Sequence, residues 1–429
     1  DTVVLVSVNS LRGDHLGIGG YPRPTSPFLD ELASQGAYFE RAYAASARGA
    51  LSLATLLTGL EPREHGLRDA QGALDPRIPT LAEGLASEGL LPAAFVSTWS
   101  HFQPRALDRG FAHFDAPPER AEHPYRAADR TVAAALAWLE QQGAGERVFL
   151  FLELSDPSHP FRAPPGYLPM AIEGVTGEDY YAFLEESHGV PLGWYRWEHV
   201  MLNRVFNNYD AEVRFVDAEL RRLQEGLTAL GRGERTLFVV TAAHGTGLGN
   251  HFWDGAGQVL YEEQVRVPLI VAVGDGSLAP RRAPDVVSHK DVLPTIFALL
   301  AAEVPAPPEA PAPSGRSLLP LLQGDALEPR PAFFDRGVHV PLSKPQENLV
   351  ERSPIPPRPG PLVGGVDARW KLLDYAGPDD ELYDLENDPF ERVNLLGDGV
   401  PAPAEVQALQ QAVGNRLPGA GRQAADRDR

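Results

Sequence analysis

Five short apolar runs constrain the fold most. They are TVVLVSV at Thr2–Val8, AAFVS at Ala93–Ser97, RVFLFLEL at Arg147–Leu154, TLFVVTA at Thr236–Ala242 and VPLIVAV at Val267–Val273. Each is apolar nearly throughout instead of alternating, the pattern of strands covered on both faces. Helical patterns lie between them. Within Asp210–Leu227, Val213, Val216, Leu220, Leu223 and Leu227 recur at three and four residues and form one apolar stripe. Arg126–Gln142 is rich in Ala and Leu and stops before Gly143. Strands alternating with helices predict an α/β fold with a large, mostly parallel sheet and helices on both faces. Ligands of such sheets bind at the carboxyl ends of the strands, so the loops that follow the strands are where chemistry is expected.

The 429 residues allow a large core and a smaller second unit. Lys and Arg number 38 against 58 Asp and Glu, a formal net charge of −20. That balance excludes a nucleic-acid backbone as the expected partner and disfavours anionic membrane surfaces. The chain has no cysteine, which excludes disulfides, thiolate metal ligands and a cysteine nucleophile. No apolar run approaches the roughly 20 residues of a membrane span. The chain opens inside a strand and without Met, which points to a trimmed start and gives little weight to a missing export signal.

Three units are expected: residues 1–330, 331–400 and 401–429. The first is the α/β domain, with an aromatic segment at 166–204 (Tyr180, Tyr181, Trp194, Tyr195, Trp197) inserted beside the ligand end as a lid or an interface. The second is a small element of two or three antiparallel strands. The third is a terminal helix or a disordered tail. Pro-rich stretches at Glu303–Gly315 and Ser343–Pro361 read as extended surface connections.

The loops after the strands carry the polar residues. Asn9, Ser10, Arg12, Asp14 and His15 follow the first run, and alone they are best read as a helix cap and turn network. Asp156 and His159 follow the third. His244 and His251 lie in a Gly-rich loop after the fourth, a pair suited to metal binding or to acid–base work.

With these loops in view, the chain resembles the sulfatase family of the alkaline phosphatase superfamily, nearly end to end and in order. SLRGDHLGIGGYPRPTSPFLDELASQGAYFERAYA is similar to the family's opening segment. LSLATLLTG is similar to its conserved loop and helix, C-x-P-S-R-A-S-L-L-T-G. YEEQVRVPLIV, VVSHKDVLPTIFALLA, GRSLLPLLQG and ELYDLENDPFERVNLL fit the later segments. The resemblance implies a large α/β domain with a small C-terminal antiparallel sheet, and an activity on sulfate esters, or on phosphate or phosphonate esters in some branches. It also implies a nucleophile at a helix N-terminus, a divalent Ca or Mg ion on hard oxygen ligands, and a His or Lys that protonates the leaving group.

Carried over position by position, the resemblance places the nucleophile at Gly49, which has no side chain. Its cationic neighbour falls at Leu53. The metal positions fall at Asn9, Ser10, Ala243 and His244, none of them a carboxylate. One substrate-side His falls at Ser158, with His159 next to it, and another falls at Ala256. Ser52, Arg12, Asp14, His244, His251 and Lys290 are retained. The losses fall on catalytic positions while the scaffold motifs persist. The expectation is therefore a catalytically degenerate member, a pseudosulfatase with no resident metal. It would use the helix start near Ala50–Leu53 with Arg12, Arg48, His159, His244 and His251 to bind an anionic, sulfated ligand, or act through a protein partner. Family analogy implies a periplasmic or extracellular location in bacteria. A second reading keeps an active ester hydrolase, with Ser46 or Ser52 as nucleophile, His159 or His251 in acid–base catalysis, Lys290 among the retained catalytic positions, and Ca or Mg bound. For Ser52 a helix-capping role is favoured.

Overall fold

The computed structural model describes residues 1–69, 72–118, 125–143, 145–159, 161–167, 195–248, 250–251, 255–305, 309–338, 358, 360–397 and 401–417. Residues 168–194 of the aromatic segment proposed as lid or interface lie outside the described residues, and over 195–204 only the backbone of a long helix, Tyr195–Ala229, is described.

A mixed sheet of eight strands forms the centre, in the order β4-β3-β5-β1-β6-β7-β2-β8. Its strands are β1 (Thr2–Asn9), β2 (Ala37–Tyr43), β3 (Leu91–Val96), β4 (His113–Asp115), β5 (Val148–Leu154), β6 (Thr236–His244), β7 (Arg266–Val273) and β8 (Arg281–Ser288). The five apolar runs are β1, β3, β5, β6 and β7. Their continuous apolarity has the expected cause, since alternate residues serve opposite faces. Val4, Val6 and Val8 join one core, with the helices Ala128–Leu139 and Tyr195–Ala229 and with α1 (Pro27–Gln35). Val3 and Leu5 join the other, with α2 (Gly49–Thr58) and the helices Leu81–Ser87 and Val292–Leu299.

Five neighbouring strand pairs are parallel, but β7 is antiparallel to both β6 and β2. A parallel neighbour needs a crossover, usually through a helix. Between β6 and β7 the only described helix is the four-residue turn Glu262–Val265, and the chain re-enters the sheet from the end it left. The strands that the apolar pattern did not mark, β2, β4 and β8, sit on the flanks. β4 and β8 are edges, and β8 carries Pro284, which an edge tolerates.

The small sheet has four antiparallel strands in the order β12-β11-β10-β9: β9 (Ala332–Asp335), β10 (Val363–Val366), β11 (Trp370–Asp374) and β12 (Glu381–Asp384). It exceeds the two or three strands expected, because the short AFFD run before the second Pro-rich stretch returns to pair with β10. One face packs on the main domain through Tyr43, Val259 and Tyr261, and the other takes the helix Gln407–Gly414 through Leu409 and Val413. Among the described residues no helix is long and apolar enough to cross a membrane.

Candidate functional site

A cleft of about 470 Å³ opens at the carboxyl ends of β1, β5 and β6, over the start of α2. Its lining includes Ser10, Arg48, Gly49, His101, Ser158, His159, His244 and Ala256. The structure brings Ser10, Arg48, Gly49, His159 and His244 together around this cleft.

α2 begins at Gly49, with Arg48 as its N-cap in an extended conformation. The first intrahelical bond runs from the Ser52 N–H to the Arg48 carbonyl, 3.0 Å. The N–H groups of Gly49, Ala50 and Leu51 therefore have no partner within the helix and face the cleft end, the positive end of the helix dipole. Arg48 lies over them, its Nε donating to the Gly257 carbonyl at 3.2 Å. Ser46 accepts the Arg48 N–H at 3.2 Å and is fully buried, so it serves the turn and does not reach the cleft.

The space above Gly49 is taken by His101. A β-carbon built on Gly49 would stand 2.9–3.3 Å from three atoms of that ring. His101 is oriented by Glu153, whose Oε1 lies 3.3 Å from Nδ1. Glu153 is wholly buried inside β5, and its carboxylate is saturated with donors. The Ser97 and Thr98 N–H groups reach Oε2 at 2.9 and 2.8 Å, the Ser155 hydroxyl reaches Oε1 at 2.7 Å, and the Asn9 amide also bonds Oε1. The second hydrogen of that amide goes to the Ser155 hydroxyl, 2.7 Å. With Nδ1 turned to Glu153, the Nε2 edge of His101 borders the space above Gly49.

His244, at the end of β6, is a neutral imidazole. Burial pulls it down to about 4, and its Nδ1–H donates to the Gly245 carbonyl at 2.7 Å, leaving Nε2 as the lone-pair nitrogen. Arg105, Asp69 and Gln258 complete the polar lining. Arginines and imidazoles dominate, with Asp69 the only acid among the lining residues.

The residues at the metal positions do not fit a hard divalent cation. Ala243 and Leu53 are both fully buried in one apolar core. The Ser10 hydroxyl meets the Ser158 hydroxyl at 3.0 Å, so two substituted positions satisfy each other. Asn9 presents an amide donor to Glu153, and only its buried Oδ1 lacks a partner. One neutral oxygen and one imidazole fall well short of the six to eight oxygens that calcium takes. Ser10 holds a left-handed backbone, φ +62°, which a non-glycine residue adopts only where its surroundings impose it. Here the Tyr209 hydroxyl donates to its carbonyl at 2.8 Å.

The other expected residues lie elsewhere. Ser52 sits in the fourth position of α2, too far along to cap it, and its hydroxyl meets His289 Nδ1 at 2.9 Å beneath the cleft. Lys290 pairs with Glu61 at 2.5 Å near the C-terminal end of α2. Arg12 is buried and bidentate on Asp14, 2.9 and 2.6 Å, which makes it a fold-holding residue. Arg12 and His251 line a separate cavity. Sequence reasoning missed His101, Glu153, Arg105 and Asp69. His101 follows the AAFVS strand, and Glu153 is a lone charge inside an apolar run; both were readable signals.

The eight-stranded sheet, the four-stranded companion and a cleft over a helix start define an alkaline phosphatase superfamily fold. The chain belongs to the sulfatase family: that family's model matches residues 1–302. It is 28% identical over 291 residues to the uncharacterized sulfatase YidJ of Escherichia coli, covering 63% of this chain and 51% of that protein. It is 24% identical over 443 residues to the Delta 4,5-hexuronate-2-O-sulfatase of Bacteroides thetaiotaomicron, covering 94% and 86%. The fold matches the phosphonate monoester hydrolase of Agrobacterium radiobacter with a TM-score of 0.72 at 21% identity, over 98% and 95% of the two chains.

Proposed function

We propose that this sulfatase-family protein binds a small anionic ester, of the sulfated kind, in the cleft over α2 and does not hydrolyse it by the family's route. The observation that carries the reading is the His101 ring standing where a nucleophile would project from Gly49. The ligand's anionic end would meet the free N–H groups of α2 and the Arg48 guanidinium. The names of the relatives, a hexuronate sulfatase and a phosphonate monoester hydrolase, support a tetrahedral anion as the ligand class. The His101 and His244 rings would hydrogen-bond the hydroxyls of a sugar or aryl carrier. The absence of carboxylates at the metal positions supports binding without a divalent ion. An exported location fits the same analogy.

Calorimetric titration with 4-nitrophenyl sulfate and a sulfated disaccharide, in chelator, tests this together with a turnover assay. Saturable binding weakened by Arg48→Ala and His101→Ala, with no released nitrophenol, is expected. Turnover that depends on added calcium or magnesium would overturn the reading.

A further inference from the structure

The second cavity, about 290 Å³, lies where the loop after β6 meets the turn that follows β12. His251, Glu263 and Glu391 converge on it. Their ligand atoms all lie within 4.8 Å of one another, and the three residues are at least nine-tenths buried.

The hydrogen bonds divide the imidazole's two nitrogens between distinct jobs. Nε2 of His251 donates to the Glu391 carbonyl at 3.0 Å. Nδ1 faces both oxygens of Glu263, at 3.2 and 3.1 Å. Metal-binding histidines show this arrangement: one ring N–H is tied to a backbone carbonyl, which fixes the ring and directs the other nitrogen at the ion. The Tyr261 ring, stacked at 3.9 Å and 18°, holds the imidazole plane. Glu391 is held by the buried Lys371 ammonium, 2.8 Å from its Oε1, and that ammonium has a second carboxylate, Glu262 at 3.0 Å, to hold it if Glu391 turns to an ion.

We propose that His251, Glu263 and Glu391 form a site for a first-row divalent ion of the zinc type, separate from the α2 cleft. One imidazole and two carboxylates make a three-ligand set, and the cavity leaves a fourth position for water. Ligands about 2.1 Å from a tetrahedral ion stand roughly 3.4 Å apart, close to the His251–Glu263 separation. The ion would tie the loop after β6 to the Asp388–Glu391 turn of the small sheet. A nitrogen ligand selects against calcium and magnesium.

The test uses the full chain after chelator treatment, titrated with zinc chloride by calorimetry. One ion per chain is expected, with a raised Tm. His251→Gln and Glu263→Gln should each weaken binding by at least about 100-fold, the upper end of what a lost outer partner costs. If either variant fails to fold by circular dichroism, the cobalt-loaded wild-type chain decides. It should show d–d bands of a four- or five-coordinate ion and one hyperfine-shifted, exchangeable imidazole proton from the retained Nε2–H. No stoichiometric zinc, binding unchanged in both variants, a six-coordinate cobalt spectrum, or equal displacement by magnesium would each overturn the proposal. None of these outcomes bears on anion binding at α2, which is measured without added metal.

Discussion

His101 and Gly49 share one space. The imidazole lies where a side chain at residue 49 would begin, 2.9 Å at the closest approach. The glycine and the histidine are therefore complementary, and neither can be changed alone without consequence. Gly49→Ser should cost about 1–3 kcal/mol, as overpacking does. His101→Ala in the same chain should recover most of that loss, a coupling read by a double-mutant cycle in urea.

Ser52 is expected to matter for stability and not for the ligand. Its hydroxyl serves His289, which also meets Thr241 Oγ1 at 3.3 Å. Ser52→Ala leaves a buried imidazole nitrogen unpaired and should cost about 1–3 kcal/mol. Anion affinity in the cleft should stay within twofold of wild type. A large affinity loss in a folded variant would instead place Ser52 at the ligand.

The buried histidines give the fold an acid limit. Burial lowers His65 and His289 to about 3 each. Below the ordinary histidine value of about 6.5 the unfolded chain takes up protons that the folded chain refuses. Stability therefore falls as pH drops from about 6.5 toward 3, by roughly 2 kcal/mol per histidine at pH 5. Urea unfolding at pH 7.5 and pH 5 checks this, and His65→Gln should shrink the difference.

Glu212 works in the opposite direction. Burial first, and then the neighbouring Asp156, raise it to about 9, and its Oε2 has no partner. The folded chain keeps it protonated while the unfolded chain ionises it above its ordinary range. Its contribution is present at low pH and is lost as pH rises toward 9. Glu212→Gln mimics the protonated acid, so the variant should gain on wild type between pH 5 and pH 8. The gain is on the order of 3–5 kcal/mol in unfolding free energy.

The sheet was legible because buried parallel strands are apolar on both faces, and β1 and β5 show this residue by residue. Strand direction was not. VPLIVAV reads like its neighbours, and it is the pairing with β6 that reveals that β7 runs the other way, with no crossover helix among the described residues between them. Flank strands such as β8, with RRAPDVVS, escape because an edge does not need apolar residues. At the site, the missing side chain at Gly49 was visible in sequence. That His101 fills its place was not, because residues 49 and 101 are joined only through the packing of β3 and β5 beside α2. His251 illustrates the converse: adjacency to His244 in one loop suggested one site, and the loop carries the two rings into different cavities.

The most direct measurement of the central claim is a crystal structure grown with 4-nitrophenyl sulfate and excess calcium. The account predicts an intact ester with its sulfate against the N–H groups of Gly49, Ala50 and Leu51, and no ion between Asn9 and His244. A calcium ion ligated by Asn9 Oδ1 and His244, or a sulfate already cleaved from its ester, would contradict it.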